Sequence, residues 1–365
     1  MTKGGLSGGR GQRRDGTSGE GGRAGLALAV ACVILAACGP ADRRGNGTQP
    51  SGARGPDDAG AEVRTEDGDG WATEAAWRLE LDLRVGSRDG PDAFGRLVQV
   101  SPRRAGGLWT LDAQSLMARA FDDTGREVVT LGGPGEGPGE LRHANGMREA
   151  GDGRLAVFEA FPPRLHWFDR DGTWLASRAV SPVTIGAVDG GPRFGVWDVT
   201  DEGVPLLDVF GMPMPGRAVE HHLLRLPPAE DESLRVDTVL SWSVPPRLPS
   251  MTGPIAVLRP QPEWDVAPDG SVVWTPGAPY EIWTLPADGG TARIVRRPGE
   301  ADRVTAAVRS AVEDQLRRVQ GETPGLAESM IERLQFPERL PHLSGVWVSR
   351  PDRTVYVARF TAESA

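Results

Sequence analysis

Polar side chains that can form hydrogen bonds, exchange protons or bind cations concentrate between residues 112 and 164 of this sequence. They fall in predicted loops and strand ends, and loops held by a rigid scaffold are where binding residues concentrate. In the repeated four-stranded pattern described below, the loop between the second and third strands and the connection to the next repeat emerge on the same face. These side chains are therefore predicted to form one binding face. The candidate residues are Asp112, Gln114, Glu136, Glu140, His143, Asn145, Glu159, Phe161 and Arg164.

A structural interpretation of the same region is open as well. Gly132–Glu140 is rich in glycine, which permits backbone conformations that other residues avoid. On that interpretation the segment is a connector shaped by its backbone. Glu136 and Glu140 are then solvated side chains that bind no ligand.

Residue types that support catalysis occur without the spacing that catalysis needs. Beyond residue 38 there is no Gly-x-Ser-x-Gly nucleophile elbow, and the chain has no phosphate-binding Gly-x-x-x-x-Gly-Lys loop. No two histidines have the His-x-x-x-His spacing that places two imidazoles on one helix face. The histidines are His143, His166, His221, His222 and His342. The sequence therefore predicts no catalytic residue and no metal ligand.

The elements that position these side chains are indicated by a sequence motif that recurs with the same internal spacing. A strand that begins Gly-x-apolar is followed eleven residues later by an apolar residue and a turn that ends in glycine. The motif returns after 47 residues and again after a further 117. The copies are Gly106–Thr110 with Phe121–Gly125, Gly153–Val157 with Phe168–Gly172, and Gly270–Trp274 with Leu285–Gly289. A period of this length is typical of a propeller or an array.

One period predicts a four-stranded antiparallel blade with short turns. The strands of the first blade are predicted at Phe94–Val100, Leu108–Asp112, Met117–Phe121 and Arg126–Leu131, and later blades at about Leu141–Val180, Ile185–Leu240 and Ile255–Arg297. The predicted fold is an all-β propeller of six blades, or of five.

The last predicted blade is incomplete. Leu343–Val348 and Thr354–Phe360 supply only its first two strands before the sequence ends. Trp77–Val85 alternates apolar and polar residues over nine positions, which predicts a half-buried strand. This strand either completes the last blade across the ring, or the sequence is truncated.

A helical insertion is predicted at residues 302–335. Its first helix carries Val304, Val308, Val312, Leu316 and Val319 on one face, with Asp302 as the predicted N-cap. Thr323-Pro324 opens a second helix, whose apolar residues are Leu326, Met330 and Leu334. The insertion is interpreted as a cap on one edge of the ring or as helices that pack beside the blades, and a mobile lid is the alternative.

The first 37 residues predict a signal peptide, with a basic stretch before the uncharged Ala24–Ala37. Leu35-Ala36-Ala37-Cys38 resembles the lipobox of bacterial lipoproteins, which implies cleavage before Cys38 and a diacylglyceryl anchor on it. An uncleaved anchor and an ordinary signal peptide remain alternatives. Residues 38–70 hold few large apolar side chains and predict a disordered tether, followed by the propeller domain at 71–365. Gly39, where an aspartate would favour inner-membrane retention, favours the outer membrane.

The charge of the body excludes one class of partner. The first 37 residues carry a formal charge of +3, so removing them changes the −9 of the whole chain to −12. Nucleic-acid binding needs a basic surface, so no such partner is predicted. Eleven tryptophans fit packing between blades, with carbohydrate stacking as an alternative for exposed rings.

Phe121–Gly125, followed by Leu131–Leu141 with its Gly-Pro-Gly-Glu loop, resembles the bacterial six-bladed β-propeller lipoproteins related to NHL-repeat proteins. Phe336–Pro341 resembles the same group, and the resemblance covers about residues 77–360. It implies the propeller and a location in the cell envelope, and it supplies no catalytic residues.

The predicted function is a lipid-anchored envelope module that binds a protein, peptide or glycan without a cofactor. The enzyme alternative is a metal-dependent lactonase or lyase of the six-bladed type, in which calcium or zinc is held by several converging ligands. Leu141–Glu149 would offer His143, Asn145 and Glu149 to such a site, whereas Phe94–Val100 offers no acid. A structural role in an envelope assembly is the third possibility.

Overall fold

The fold is an all-β arrangement of antiparallel sheets around an axis, with two helices inserted late in the chain. The computed structural model describes residues 62–65, 81–87, 90, 93–180, 193–214, 217–227, 236–245, 253–320, 324–350 and 353–360. Four sheets have four consecutive strands each, which confirms the predicted blade.

Blades one and two follow the predicted strands closely. Blade one consists of β2 (Leu97–Pro102), β3 (Leu108–Asp112), β4 (Met117–Phe121) and β5 (Glu127–Gly132). Blade two consists of β6 (Ala144–Glu149), β7 (Leu155–Ala160), β8 (Pro163–Phe168) and β9 (Trp174–Ala179). Asp122 and Asp169, which lie 47 residues apart, each use Oδ1 to accept the backbone N–H groups of residues i+2 and i+4. The predicted aspartate turns are thus built from the same hydrogen bonds.

Blades three and four are more variable. Blade three consists of β10 (Arg193–Val199), β11 (Pro205–Phe210), β12 (Val219–Arg225) and β13 (Asp237–Val244). Blade four consists of β15 (Glu263–Val266), β16 (Val272–Thr275), β17 (Glu281–Leu285) and β18 (Arg293–Arg296). Ile255, predicted to begin blade four, instead lies in β14 (Ile255–Ala256), which pairs with β19 (Leu334–Gln335).

A two-stranded sheet occupies the place of a fifth blade. It consists of β20 (Leu343–Val348) and β21 (Val355–Arg359), as the sequence predicted. The first strands of successive sheets contact one another in the order β2, β6, β10, β15 and β20, so they line a common axis. We call the space along this axis the central channel. The predicted count of six blades is wrong for the described residues, which form four four-stranded blades and one two-stranded sheet.

The turn between the first and second strands has the same form around the ring. In blade one the backbone N–H of Arg103 donates to the carbonyl of Gly107, and corresponding bonds join Ala150 to Arg154 and Thr200 to Val204. Blade four repeats this bond from Ala267 to Ser271, and the fifth sheet has one from Ser349 to Thr354. These five first turns, as we call them, lie at one end of the channel.

The hydrophobic core consists of layers between neighbouring sheets. Trp109, Leu111 and Ala120 of blade one pack against residues of blade two, including Val157. Ala156 and Trp167 of blade two pack in the same way toward Trp197 of blade three. Because each layer needs the next blade, the ring is stabilised by contacts between neighbours.

A short segment before blade one docks on a blade that is far away in sequence. β1 (Glu62–Thr65), which falls in the predicted tether, pairs in parallel with β18 at the outer edge of blade four. An edge strand offers unpaired backbone groups, so a short segment can pair with it without a hydrophobic face. The other residues of the predicted tether, 38–61 and 66–70, lie outside the described ranges.

The predicted strand Trp77–Val85 is described only from Leu81 onward, and Leu81–Val85 is not a strand. Leu83–Val85 lies instead against Gly125 at the third turn of blade one. The corresponding Gly172 of blade two lies against Val129–Leu131 of β5. Leu83–Val85 thus stands where the outer strand of a preceding blade would stand, which physically accounts for its alternating pattern.

The helical insertion is confirmed with a different start. α1 (Ala306–Val319) has Thr305 as its N-cap, whose hydroxyl accepts the N–H of Val308 at 3.3 Å, so the predicted cap Asp302 is wrong. α2 is Pro324–Ile331. Three predicted apolar positions, Val308, Val312 and Leu316, are buried against residues that include Ile255 and Leu340, whereas Val319 and Leu326 are exposed. The helices therefore pack beside the ring.

No helix in the described ranges is long and apolar enough to cross a bilayer. The predicted signal peptide and the lipidated Cys38 lie outside those ranges.

Candidate functional site

A β-bulge recurs at one position in the strands that line the central channel. The register slips between Leu97 and Gln99 in β2, between Ala144 and Gly146 in β6, and between Leu343 and Gly345 in β20. In β10 the slip lies between Phe194 and Trp197. The residues inside these bulges are Val98, Asn145, Gly195, Val196 and Ser344. We call them the bulge ring.

The bulges turn side chains toward the channel. β10 lies between β6 and β15, so both faces of its blade are covered. Val196 is nevertheless 52% exposed while the neighbouring Trp197 is buried, and the channel is the direction left open to it. Bulges re-aim a side chain in this way and are frequent beside functional sites. The same repeat position indicates the same direction for Val98 and Asn145, which are also exposed.

Close packing fixes the strands that carry the bulge ring. The side-chain amide of Gln99 donates to the carbonyl of Met147 and accepts its N–H, both at 2.8 Å, which ties β2 to β6. A Cβ on Gly146 would lie 2.8 Å from Nε1 of Trp197 and 3.5 Å from Oε1 of Gln99. Gly146 therefore allows three first strands to approach one another closely.

Charged side chains from all five sheets converge on the end of the channel where the first turns lie. Arg104 of blade one forms an ion pair with Asp201 of blade three, and its backbone N–H donates to Glu149 of blade two at 2.9 Å. Arg148 of blade two reaches Asp198 of blade three at 3.3 Å. The ion pair between Arg104 and Asp201 joins blades that are not neighbours in the ring, whereas the other two contacts join neighbouring blades.

The fifth sheet is fastened to the same cluster. The guanidinium of Arg350 lies 2.9 Å from Asp198 and 3.2 Å from Asp201. Oδ2 of Asp265 in blade four accepts the N–H of Val348 at 2.7 Å. We call this set the ionic floor, and it consists of Arg104, Arg148, Glu149, Asp198, Asp201, Asp265 and Arg350.

The acids of the ionic floor do not all favour the charged form. Burial and the nearby Asp198 carboxylate raise the pKa of Asp265 to about 6, against the opposing N–H groups of Val348 and Val266 and the charge of Arg350. Burial also raises the pKa of Glu149, although the N–H of Arg104 opposes it. Three arginines face four acids here, so a neutral Asp265 balances the formal charge of the floor.

The predicted binding face is used largely for internal contacts. Asp112 is buried and accepts the N–H groups of Gly95, Arg96 and Gln114 at 2.7–2.9 Å. Burial alone would raise its pKa, but these bonds outweigh burial and lower it to about 2. Glu159 is also buried, and its Oε1 accepts the N–H groups of Arg142 and His143. Both acids therefore fix the entry into their own first strand.

The remaining predicted residues are not brought together as one site. Glu136 pairs with Arg142 at 2.7 Å, and Glu140 accepts the N–H of Gly137 at 2.7 Å, which favours the connector interpretation of this loop. Phe161 is 76% exposed at a turn. Gln114 and His143 are exposed, Arg164 is half-buried, and Asn145 belongs to the bulge ring.

The sequence analysis missed the ionic floor. Its members lie in or beside the first turns, and the signal was the charge next to each repeated turn, as in Arg104, Asp201 and Arg350. Their pairing across the axis depends on ring geometry and leaves no local pattern. Within the described ranges no three His, Cys, Asp or Glu side chains are grouped so as to hold a metal ion.

Comparison with solved structures finds β-propeller-like proteins at low sequence identity. An exported protein of Bacteroides fragilis is 13% identical with a TM-score of 0.40, over 82% of this chain and 73% of that one. Virginiamycin B lyase of Staphylococcus aureus is 10% identical with a TM-score of 0.29, over 56% and 71%. Regucalcin of Agrobacterium tumefaciens, described as a calcium-binding protein, is 11% identical with a TM-score of 0.29, over 55% and 58%. No protein-family model matches the chain, and no curated protein matches it.

Proposed function

We propose that this protein is a lipid-anchored binding module of the cell envelope that holds an uncharged stretch of peptide or glycan in its central channel. The observation that carries the proposal is the bulge ring. In four first strands the pairing with the second strand is interrupted at a bulge, and a side chain there is directed toward the channel. A feature that costs pairing and recurs at one position is accounted for by binding.

The chemistry of the bulge ring favours an uncharged ligand. Val98 and Val196 offer apolar contact, and Asn145 and Ser344 offer neutral donors and acceptors. The charges of the ionic floor are already paired with one another across the axis. A charged ligand would have to compete with those pairs, whereas a neutral one would not.

The ionic floor does not favour the metal-dependent alternative. Asp198 and Asp201 bind arginines, and Asp265 accepts backbone N–H groups with both oxygens. A cation coordinated there would have to displace these donors and approach three guanidinium groups.

The location follows from the sequence around Cys38. Lipid chains on Cys38 would anchor the body, since more than one chain makes membrane attachment stable. We propose the outer membrane as the destination because Gly39 is not an aspartate. Replacement Cys38→Ser should release the protein from the membrane fraction and abolish incorporation of labelled palmitate. Retention with unchanged labelling would reject the lipid anchor.

Ligand binding is tested on the full chain in detergent with an array of neutral and acidic oligosaccharides and peptides. Asn145→Trp should reduce binding at least tenfold, because an indole in the bulge ring would fill the channel. Val128→Trp is the matched control, since Val128 is exposed on the outer strand β5. Circular dichroism checks that both variants are folded.

Three outcomes decide the proposal. Neutral probes that lose affinity only in Asn145→Trp support it. Equal loss in both variants, or binding of acidic probes alone, contradicts it. Binding that survives Asn145→Trp would place the ligand site away from the channel.

A further inference from the structure

Three side chains of blade two form a continuous hydrogen-bonded series. Oε2 of Glu159 lies 2.9 Å from Nε2 of His166, and Nδ1 of His166 lies 2.9 Å from Oγ of Ser177. Glu159 and His166 are each only 3% exposed, whereas Ser177 on the outer strand β9 is half-buried. A buried acid, a buried imidazole and an accessible hydroxyl are the parts of an activated nucleophile.

The backbone contacts of Glu159 determine which ring nitrogen of His166 carries the proton. Burial alone would raise the pKa of this carboxyl, but the N–H groups of Arg142 and His143 and the imidazole of His166 outweigh burial and lower it. An ionised carboxylate only accepts hydrogen bonds, so Nε2 of His166 must carry the proton. In the neutral imidazole Nδ1 is then an acceptor and faces Ser177 as a base.

A bulge in β9 fixes the serine. The register slips between Trp167 and Phe168, which makes Leu175 the extra residue and returns Trp174 to the same face as Ser177. Nε1 of Trp174 donates to Oγ of Ser177 at 3.0 Å. Because Oγ accepts this bond, its own proton is free to point to Nδ1 of His166.

The fold does not require these side chains. In blade one the positions 47 residues earlier hold Asp112, Arg119 and Thr130. There Arg119 lies over the ring of Phe94 at 4.3 Å, and Thr130 donates to Glu127. Blade one keeps the same backbone with no imidazole beside its hydroxyl, so the series in blade two is a property of its own side chains.

We propose that Ser177 is a nucleophile that accepts an acyl group from a carboxylic ester, with His166 as its base and Glu159 as the residue that positions His166. The exposed Trp174 and Leu175 flank the hydroxyl and fit a small apolar acyl group. The site lies on the outer strands and does not depend on ligand binding in the channel.

The reaction balances with water as the only co-reactant. Oγ of Ser177 attacks the carbonyl carbon, its proton passes to Nδ1 of His166, and the ester C–O bond breaks as the leaving alcohol takes that proton. Water then attacks the acyl-serine, gives a proton to Nδ1, and the acid leaves as the proton returns to Oγ. The net result is hydrolysis of the ester.

An alkyl fluorophosphonate tests the nucleophile without knowledge of the substrate. Oγ attacks phosphorus, fluoride leaves, and the proton passes to His166, so peptide mass spectrometry should find one adduct on Ser177. Glu159→Gln should slow labelling about tenfold or more, since the amide no longer fixes the tautomer.

Two matched controls separate a nucleophile from an ordinary polar contact. Oγ of Ser241 lies 2.9 Å from Nδ1 of His222 in an exposed pair. Thr130 is the hydroxyl at the corresponding position of blade one. Ser177→Ala should abolish the adduct, whereas Ser241→Ala and Thr130→Ala should leave it unchanged. No adduct on Ser177 in the folded protein, or equal labelling of Ser241, would overturn the proposal, and p-nitrophenyl acetate hydrolysis that persists in Ser177→Ala would do the same.

Discussion

Blades one and two are built on one backbone plan with different side chains. Trp109 of β3 faces Ala120 of β4, while 47 residues later Ala156 of β7 faces Trp167 of β8. The large and small members of the pair have exchanged strands, and all four residues are at most 2% exposed. What the two blades share at this position is the summed volume of the pair.

Asp112 and Glu159 extend the comparison to polar positions. Both accept the backbone N–H groups that enter their first strand, at positions that again differ by 47. Glu159 has one more methylene, so its second oxygen reaches His166. Capping of the strand is therefore fixed by the fold, whereas the chemistry beyond the cap differs between blades.

The largest effect is expected from breaking the exchanged pair. Trp109→Ala should lower the free energy of unfolding by about 3–5 kcal/mol, because it opens a cavity that Ala120 cannot fill. The double variant Trp109→Ala/Ala120→Trp copies blade two and should be less destabilised than Trp109→Ala alone. Urea unfolding measures the free energy of unfolding of Trp109→Ala, of Ala120→Trp and of the double variant. A double variant that is as unstable as the sum of its single variants would show that volume alone does not define the position.

A smaller effect separates capping from the contact with His166. Glu159→Ala leaves two backbone N–H groups and Nε2 of His166 unpaired, which should cost about 3 kcal/mol. Glu159→Asp copies blade one, so it should keep the cap, lose His166 and cost about half as much. Equal losses in the two variants, again by urea unfolding, would mean that the cap contributes little.

The pH dependence of stability should have opposite signs for Asp112 and for Asp265 of the ionic floor. The lowered pKa of Asp112 contributes stability above pH 4, which is lost as the pH falls from about 4 to about 2. The pKa of Asp265 is raised to about 6, so its contribution is present below pH 4 and is lost as the pH rises through 6. In thermal melts at a series of pH values, Asp112→Asn should remove the pH dependence of the melting temperature only between about 2 and 4, and Asp265→Asn only between about 4 and 6. A loss of the pH dependence below pH 4 in Asp265→Asn would contradict the assignment.

The smallest effect concerns the third turns of the two blades. Gly172 has φ +86°, and a Cβ there would lie 2.8 Å from Val129. Gly125 has φ +81°, and its Cβ would lie 3.2 Å from the carbonyl of Arg84. Alanine at either position should destabilise by about 1 kcal/mol, and slightly more at Gly172. If Gly125→Ala leaves the free energy of unfolding unchanged, Leu83–Val85 does not pack against Gly125 as β5 packs against Gly172.

The sequence predicted what depends on local pattern. β3 and β4 have the predicted bounds Leu108–Asp112 and Met117–Phe121, because alternation and a turn glycine act within a few residues. The bulge ring was not predicted, since a bulge is defined by the pairing of two strands. The ionic floor was missed for a related reason: Arg350 and Asp198 lie 152 positions apart and meet only across the ring. For the candidate site, Asn145 was found, but its role in a bulge was not.

The pairing of β1 with β18 has a consequence for how the chain folds. Glu62 pairs with Arg293, which is 231 positions later. A chain that grows from its N-terminus at about 5–20 residues per second must wait roughly ten to fifty seconds before this partner exists. During that time the blades between them can form from nearer contacts, since short-range contacts form first. Attachment of the leading segment can therefore begin only after the strands of blades one to four have been synthesised, whereas the helical insertion and the fifth sheet are synthesised later still.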